Sequence, residues 1–469
     1  MPHDVIVIGA GYAGVTAAVT LADAGADVLL VEARDRVGGR TLSERLPDGT
    51  LVDHGGQWAG PTQRRLLALA AREGVETFPT HDTGENVEWR DGAPHRYTGL
   101  IPSSDPEAMA ESITAMLDLN LMALEVPVDA PWKAPQAVEW DGMTVQSWLD
   151  AEVEDEGARR NLTLAVEAVF SAQPADLSLL HLLFYVHAAG GLTPLLGVTG
   201  CAQDRRFVLG AQETAKRLAA VLGDRVLLSS PVRSVLQTPD GVEVRYDGGS
   251  ASAAYAVVAL PPALAGRLSY SPALPGLRDQ LTQRMPMGTV IKAHAVYETP
   301  FWRADGFSGQ VTADTGAVRV VFDNSPADGS RGVLMGFVEG EQGRIWGARS
   351  QDERRREFLD LMTRTFGPAA AEPIAYVDKV WADDEWARGG YAGLMPPGGW
   401  TAYGEALRTP VGRLHWAGTE TATAWNGYID GAIESGERAA REVLARLGVP
   451  EQDWPAPLPK SVISEDGEG

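Results

Sequence analysis

Residues 4–33 read "DVIVIGAGYAGVTAAVTLADAGADVLLVEA", and this stretch decides the fold of the chain. Its apolar run at 5–8 is typical of a central parallel strand that is buried on both faces. Small and apolar residues from 13 to 24 predict a helix packed on the sheet, and a second apolar run ending at Glu32 predicts the next strand. Together they predict a βαβ unit of about 30 residues and hence an α/β fold.

Three glycines in the spacing G-x-G-x-x-G join the first strand to the helix. Gly9 allows the tight turn, Gly11 lets the backbone approach a pyrophosphate, and Gly14 lets the helix pack closely on the strand. The helix N-terminus attracts the pyrophosphate with free N–H groups and partial positive charge. Glu32 can accept hydrogen bonds from both ribose hydroxyls. The pattern predicts a dinucleotide site, the alternative being a glycine-rich turn of purely structural use.

Two more glycine pairs follow and favour FAD over NAD. The stretch "EARDRVGGRT" (32–41) contains Gly39 and Arg40, which predict a second turn against phosphate, with Arg40 suited to bidentate binding. The stretch "VDHGGQWAGPTQ" (52–63) contains Gly55 and Gly56, which would allow the backbone to lie against a flat ring. The sequence therefore predicts contacts along the whole length of the cofactor.

Composition excludes several classes of function. The 469 residues, 44% hydrophobic and 22% charged, are typical of a globular protein of two or three domains. Acidic residues outnumber basic ones 63 to 40, which argues against nucleic acid as a partner and fits either solubility or attraction of cationic substrates. The single cysteine, Cys201, excludes an internal disulfide, and the eight scattered histidines predict no metal site.

No segment predicts attachment to a membrane. No run approaches the roughly 20 apolar residues of a membrane span. The N-terminal apolar run contains Asp4 and lacks a basic flank, so a signal peptide is not expected. A cytoplasmic location follows by default, and the oligomeric state is left open, a homodimer being the assembly considered.

The motifs in their order resemble the flavin-dependent monoamine oxidase family, which is built on a glutathione-reductase-like FAD fold. "GAGYAG", "EARDRVGGRT" and "HGGQWAGPTQ" match its opening, and "GRLHWAGTETATAWNGYIDGAIESGERAAREVLARLG" (412–448) matches its closing signature. The resemblance implies a discontinuous Rossmann-type FAD-binding domain with an inserted α+β substrate domain. The expected limits are 1–77, 208–281 and 384–446 for the FAD domain, 78–207 and 282–383 for the substrate domain, and 447–469 for a loose polar tail.

The resemblance extends the set of predicted cofactor contacts. The closing signature should begin a helix near Gly427 whose N-terminus faces the flavin pyrimidine. Val232 would contact the adenine region through its backbone, and Trp381 would pack near the flavin, although core packing explains Trp381 almost as well. The complete predicted set is Gly9, Gly11, Gly14, Glu32, Ala33, Arg34, Gly39, Arg40, Gly55, Gly56, Gln57, Trp58, Val232, Trp381, Gly418, Thr419, Glu420, Tyr428 and Ile429.

The activity implied is oxidation of a primary or secondary amine to an imine, with dioxygen reduced to hydrogen peroxide. Tyr428 would form one wall of an aromatic cage for the amine, the alternative being a core tyrosine at a helix start. Lys292 lies in a strand, where a lysine usually faces solvent, but the resemblance implies that it holds a water near flavin N5 and assists oxygen reduction.

The segment "GGYAGLMPPG" (389–398) departs from the covalent members of the family. Those members have Gly-Gly-Cys-Tyr, then four residues before Pro-Pro-Gly, and the cysteine bonds the flavin. Here the cysteine is either deleted, with Tyr391 as the second wall of the cage, or replaced by Tyr391. Cys201 lies in a segment that the resemblance places at the substrate cavity, so FAD is expected to bind noncovalently.

The predicted substrate pocket is mostly apolar and favours an alkyl or aryl amine, unless its aliphatic residues are plain core. An L-amino acid oxidase would need an arginine clamp for the carboxylate, and no motif places Arg90, Arg96 or Arg205 there. A polyamine oxidase stays open because of the negative charge, and a catalytically silent flavin-binding scaffold is the alternative of a different class. The predicted pocket residues are Val169, Leu195, Leu196, Gln203, Val320 and Phe337.

Overall fold

A computed structural model describes residues 2–461, which form two large sheets and a group of helices around one cavity. The strands are β1 (His3–Ile8), β2 (Val28–Val31), β3 (Ser43–Arg45), β4 (Leu51–Asp53), β5 (Trp58–Ala59), β6 (Thr77–Pro79), β7 (Glu85–Arg90), β8 (Ala93–Tyr97), β9 (Arg205–Phe207), β10 (Val226–Leu227), β11 (Val232–Gln237), β12 (Val242–Tyr246), β13 (Gly249–Val258), β14 (Ser269–Ser271), β15 (Val290–Tyr297), β16 (Phe307–Ala313), β17 (Val320–Asp323), β18 (Gly332–Glu339), β19 (Ala375–Val380) and β20 (Leu414–Trp416). The α-helices are α1 (Tyr12–Asp23), α2 (Arg64–Arg72), α3 (Pro106–Leu124), α4 (Ala137–Gly142), α5 (Val145–Glu152), α6 (Glu156–Phe170), α7 (Leu179–Ala189), α8 (Leu192–Leu196), α9 (Gln212–Ala220), α10 (Pro262–Ala265), α11 (Gly276–Arg284), α12 (Gly340–Gly347), α13 (Gln351–Phe366), α14 (Gly399–Tyr403) and α15 (Ile429–Leu447).

The first sheet has the strand order β10-β2-β1-β13-β12-β11-β14, with β20 beside β13. Its central strand β1 runs parallel to both β2 and β13, as the apolar run predicts. Val5 and Val7 pack in one hydrophobic cluster with α1 and α15, while Ile6 and Ile8 pack in a second cluster on the opposite face. Because both faces are covered, every one of these four positions is apolar.

Two glycines bring the helices close to this sheet and to each other. A Cβ added to Gly14 would lie 1.8 Å from the Gly9 carbonyl oxygen, so only glycine fits between α1 and the first turn. A Cβ added to Gly436 would lie 2.3 Å from the Ala13 carbonyl oxygen. The N-terminal helix α1 and the C-terminal helix α15 therefore pack backbone to backbone.

The second sheet has the order β19-β15-β18-β17-β16-β7-β8. Alternate residues of β18 divide between its faces: Leu334 and Val338 pack in the cluster under α13, whereas Met335 and Phe337 pack on the other side with Trp381. That other side faces the cavity. Side-chain alternation thus decides which residues of this sheet can reach a ligand.

The strands of the two sheets come from different parts of the sequence. The first sheet takes its strands from 3–31, 226–271 and 414–416, and the second takes its strands from 85–97 and 290–380. This distribution agrees with a discontinuous FAD domain and an inserted substrate domain, whose exact limits stay predictions. Among residues 2–461, no helix combines the length and apolar character needed to cross a bilayer.

Helices α3 to α8 form a third layer with its own hydrophobic cluster. The side chains of Asp105, Thr144, Asp155 and Ser178 accept hydrogen bonds from the first turns of α3, α5, α6 and α7 and so fix where these helices begin. Helix α7 is apolar on nearly all sides and lies buried in the middle of this group.

Residues 225–232 do not form one continuous strand, because the chain turns at Ser229, which has φ 52°, and separates β10 from the start of β11. The predicted loose tail packs against the protein as far as residue 461: Trp454 and Leu458 contact the first hydrophobic cluster, and the Leu458 N–H donates to Glu437 Oε1 at 2.9 Å. The rest of the predicted tail, 462–469, lies outside the described residues.

Candidate active site

A cavity of about 960 Å³ lies between the two sheets and the α3–α8 helices. Its size is at the upper end of the range typical for ligand pockets, about 300–1,000 Å³. Of the residues predicted to contact cofactor or substrate, all line it except Gly14, which packs beneath Gly9, and Glu420, which lies behind Arg40. The structure therefore brings residues from widely separated parts of the sequence to one place.

The end of the cavity beside the first sheet has the features of a pyrophosphate site. Helix α1 begins with Gly11 as its N-cap and no side chain caps it, so N–H groups of its first turn stay open. The two glycine turns approach closely, since a Cβ on Gly39 would lie 3.1 Å from the Gly11 Cα. Free N–H groups beside glycines, which have no side chains to block the approach, can bind an anion such as the pyrophosphate of FAD.

Glu32 is buried at the end of β2 and lines this part of the cavity. Its Oε2 accepts from the Ala10 N–H at 2.6 Å, and its Oε1 accepts from the Arg34 N–H at 2.9 Å. Both bonds fix the carboxylate without using all of its lone pairs. Glu32 is therefore held where it can still accept hydrogen bonds from a ribose.

Arg40, which the sequence predicts to contact phosphate, bonds a carboxylate of the protein and also lines the cavity. Its guanidinium bonds the Glu420 carboxylate through Nη1 to Oε1 at 2.6 Å and Nη2 to Oε2 at 3.1 Å, and Nη1 also donates to the Tyr391 carbonyl oxygen at 2.7 Å. Burial raises the pKa of the Glu420 carboxyl, but Arg40 and backbone N–H donors such as that of Gly393 together outweigh burial, and the pKa is lowered. One guanidinium thus ties the second glycine turn, the closing signature and the 389–398 segment together.

Lys292 is buried, in contrast to the exposure that a lone strand lysine suggests. Strand β15 is covered on both faces, and Lys292 falls on the same side as Val290, toward the cavity. Its ammonium donates to the Gly55 carbonyl oxygen at 2.9 Å and to Gln57 Oε1 at 2.6 Å. Burial lowers the pKa of Lys292 to about 7, with Arg206 adding to the shift and Asp53 opposing it.

Aromatic rings surround this lysine and the space beside it. Its Nζ lies 5.6 Å from the centre of the Trp58 ring and 5.7 Å from that of Phe337. Tyr391 packs edge-on against Phe337 at 5.8 Å, and Tyr428, the N-cap residue of α15, packs against Trp425 at 4.9 Å. Burial raises the pKa of both phenols, so they stay neutral at physiological pH.

The predicted apolar pocket lies along the same cavity. Val169, Leu195 and Phe337 are buried in its walls, and Gln203 is fixed by donating to the Leu195 carbonyl oxygen at 3.0 Å. The sequence missed other lining residues, such as Ile101, Leu162, Tyr185 and Phe322, because an apolar residue in a core helix or strand carries no separate signal.

The arginines considered as a carboxylate clamp do not line the cavity, whereas the single cysteine does. Arg90 pairs with Asp105, Arg96 with Glu85, and Arg205 donates to Thr77, and none of the three lines the cavity. Cys201 does line it, close to Gly197, whose added Cβ would lie 2.6 Å from its Sγ. Burial raises the pKa of the Cys201 thiol, so its nucleophilic form is disfavoured.

Comparison with known proteins agrees with this site. A family model for flavin-containing amine oxidoreductases matches residues 12–444. A Mycobacterium tuberculosis protein assigned as flavin-containing monoamine oxidase AofH is 43% identical over 452 residues, which are 95% of this chain and 97% of that protein.

Two solved structures share the whole fold. The wild-type putrescine oxidase bound to putrescine superposes with a TM-score of 0.92 at 35% identity and covers 95% of this chain and 100% of its own. The cyclohexylamine oxidase of Brevibacterium oxydans has the same TM-score of 0.92 and 35% identity, with 96% and 100% covered.

Proposed function

The chain belongs to the family of flavin-containing amine oxidoreductases, and from that premise we propose that it oxidises apolar monoamines with noncovalently held FAD and dioxygen. The family, the α/β fold, the enzymatic function and the flavin cofactor predicted from the sequence are confirmed. The class of amine, the mode of FAD attachment and the roles of individual residues are the parts proposed here. A cytoplasmic location and a homodimer stay predictions.

The residues present fit FAD. The open amides at the start of α1 and the bare Gly11–Gly39 contact would hold its pyrophosphate, and the carboxylate of Glu32 would hold a ribose. Residues 55–58 and the start of α15 line the cavity toward Lys292 and would hold the ring system. When bound, FAD supplies the capacity to accept hydrogen from the carbon beside an amine nitrogen.

Noncovalent attachment is supported by the position of the one cysteine. Cys201 comes from the loop between α8 and β9 and packs against Gly197, among the substrate-side residues. The position before Tyr391 is Gly390, which lines the cavity and has no side chain to form a bond. Affinity must then come from buried contacts distributed along the cavity.

The chain's own residues bind and orient the amine. The rings of Tyr391 and Tyr428 line the same cavity, and their electron-rich faces attract an amine nitrogen or ammonium. The aliphatic walls around Val169 and Leu195 bury the rest of the substrate and exclude water. Orientation of the substrate carbon is thereby fixed by packing, not by a charged clamp.

Lys292 serves the dioxygen half of the reaction. Its Nζ has two carbonyl-type acceptors and two aromatic neighbours, so one proton remains to bond a water or a reduced oxygen species. In a dry site, a fixed ammonium stabilises developing negative charge on oxygen far better than water does. Because its pKa is about 7, Nζ can also release and regain a proton at neutral pH.

The proposed class of substrate rests on one observation: few charged residues line the substrate side of the cavity. Of the lining residues contributed by α3, α6, α7, α8, the strands of the second sheet and the loops beside β7 and β8, only Lys292 and the exposed Asp82 are charged. The loop after β19 adds Glu385 and Arg388, both of which are exposed. Asp82 already accepts from Thr199 Oγ1 at 2.8 Å and from Gln310 Nε2 at 2.6 Å. A diamine whose second ammonium reaches Asp82 is the second candidate substrate.

A peroxide assay over a panel of amines tests the proposal. Arylalkyl and cycloalkyl monoamines should give the highest kcat/KM, and diamines and L-amino acids should be poorer. Highest activity with a diamine, lost on Asp82→Asn, would establish the second candidate instead. Bound FAD that no amine reduces under anaerobic conditions would show a silent scaffold.

A further inference from the structure

Glu339 lies directly behind one of the two cage tyrosines. It is the last residue of β18, and the alternation that points Met335 and Phe337 toward the cavity side also points Glu339 there. The Tyr391 hydroxyl donates to Glu339 Oε1 at 2.6 Å, and the Ser171 hydroxyl donates to the same atom at 3.5 Å. Glu339 is buried and does not itself line the cavity.

No cation neutralises this carboxyl group directly. Within residues 2–461, no arginine or lysine forms an ion pair with Glu339. Arg319, the cation that acts on Glu339 from a distance, pairs with Glu167 of α6 at 2.7 Å, and Glu341 of α12 adds another negative charge beside Glu167. A buried acid without a counter-ion costs stability, so a role other than stability is the better explanation.

The bond completes the fixation of Tyr391 at both ends. Arg40 holds its carbonyl oxygen at 2.7 Å, Phe337 packs against its ring, and Glu339 holds its hydroxyl. A ring anchored only at its backbone could still rotate about its side-chain torsions. Holding the hydroxyl removes that freedom.

We propose that Glu339 is a positioning residue, whose bond to the hydroxyl fixes the Tyr391 ring as a wall of the amine site. This inference rests on the proposed role of Tyr391 in binding amines. It assigns a function in the site to a residue that touches neither substrate nor cofactor. A leucine at position 339 would fill the same space but could not accept a hydrogen bond from the Tyr391 hydroxyl.

Ionisation of Glu339 should leave a signature in the pH profile. Burial raises its pKa to about 8, Glu167 adds to the shift, and Tyr391, Ser171 and Arg319 oppose it. Above that pH the Tyr391 hydroxyl donates to a charged acceptor, and such bonds are about twice as strong as neutral ones. The ring should then be held more firmly, so KM for a neutral or cationic amine should fall as pH rises past about 8.

Four variants of the holoenzyme test the inference: Glu339→Gln, Glu339→Leu, Tyr391→Phe and the double variant Glu339→Leu/Tyr391→Phe. The bond that holds the Tyr391 ring is worth at most about a factor of ten, so Glu339→Leu and Tyr391→Phe should each raise KM by up to about that factor. The double variant should be no worse than either single variant, because all three remove the same bond. Glu339→Gln keeps an acceptor, so it should restore KM at pH 7 but lose the change past pH 8.

Unfolding supplies a readout independent of turnover. A carboxyl group whose pKa rises from 4.5 to about 8 on folding binds extra protons in the folded state between these values. Its contribution to stability is therefore full at low pH and is lost as pH rises to 8. The melting temperature of the wild type, measured relative to that of Glu339→Gln, should therefore decrease as the pH is raised from 5 to 8.

The outcomes separate this inference from the proposed function. If the wild type turns over no amine, the proposed function is refuted. The melting temperatures of the same variants still decide whether the bond between Glu339 and Tyr391 exists. A wild type that oxidises amines, with Glu339→Leu unchanged in KM, refutes the positioning role. Additive effects of the two single variants would do so as well.

Discussion

Replacing Lys292 by methionine should separate the two halves of the reaction. The substitution keeps the length of the side chain and removes a charge that is buried between Trp58 and Phe337 and bonded to Gly55 and Gln57. Losing one preorganised charge of this kind typically lowers a rate by about 10²–10³, or roughly 2.7–4 kcal/mol. The rate with dioxygen should drop at least tenfold, while anaerobic reduction by a good amine should change little.

The pKa of Lys292 gives this prediction a second test. Since that pKa is about 7, the ammonium is lost as pH rises through 7, and the wild-type rate with dioxygen should fall over the same interval. Lys292→Met lacks the titrating group, so its slow rate should be independent of pH there. Both steps are followed by stopped-flow absorbance of the oxidised flavin band.

A matched control is available on the surface. Lys216→Met, on the exposed side of α9, makes the same chemical change far from the cavity and should alter neither rate. If Lys292→Met reacts with dioxygen as fast as wild type, the lysine is structural in this chain. If anaerobic reduction slows as much as reoxidation, the charge serves substrate binding, and the assignment to dioxygen is wrong.

Three further predictions concern the cofactor and the packing of α1. Acid precipitation should release the yellow colour into the supernatant, where chromatography identifies FAD; colour that stays with the pellet would show a covalent bond. Glu32→Ala removes the carboxylate that would accept hydrogen bonds from a ribose of FAD, each charge-assisted bond being worth about 1.5–3 kcal/mol, and it also leaves the Ala10 and Arg34 N–H groups without their acceptor. The flavin-to-protein absorbance ratio after gel filtration should therefore fall. Full retention of FAD would remove Glu32 from the cofactor site. Gly14→Ala forces a methyl group to within 1.8 Å of the Gly9 carbonyl oxygen and should lower stability by about 1–3 kcal/mol or more. Gly276→Ala, with open space around it at the start of α11, should not lower the thermal midpoint. Equal midpoints for the two alanine variants would contradict the packing argument.

The sequence predicted local features better than those that depend on distant partners. The βαβ unit follows from residues within about 30 positions of one another, so the run at 5–8, the glycines and Glu32 could be interpreted together. The pairing of Arg40 with Glu420 joins residues 380 positions apart, and no local pattern shows that the guanidinium is already occupied.

Burial was the property that local patterns predicted least well. The local pattern around Lys292 suggests an exposed lysine. Its burial depends on other parts of the chain, which cover both faces of β15. Glu339 ends an apolar strand, and no local pattern shows that it is buried and bonded to Tyr391. The family resemblance predicted a functional role for Lys292, whereas the role proposed for Glu339 follows only from its contacts in the structure.

The close packing of α1 on α15 has a consequence for biogenesis. About 400 residues separate Asp23 at the end of the first helix from Ile429 at the start of the last. At roughly 5–20 residues per second, a ribosome needs 20 seconds or more to synthesise that interval. The apolar strand β1 lacks its partner β13 for about the first half of that time, and it lacks the covering helix α15 for all of it. Nascent chains therefore expose this surface to chaperones and to one another. Cofactor loading must come after translation of the last helix, and flavin supply should affect the yield of soluble protein most strongly in the moments after chain release.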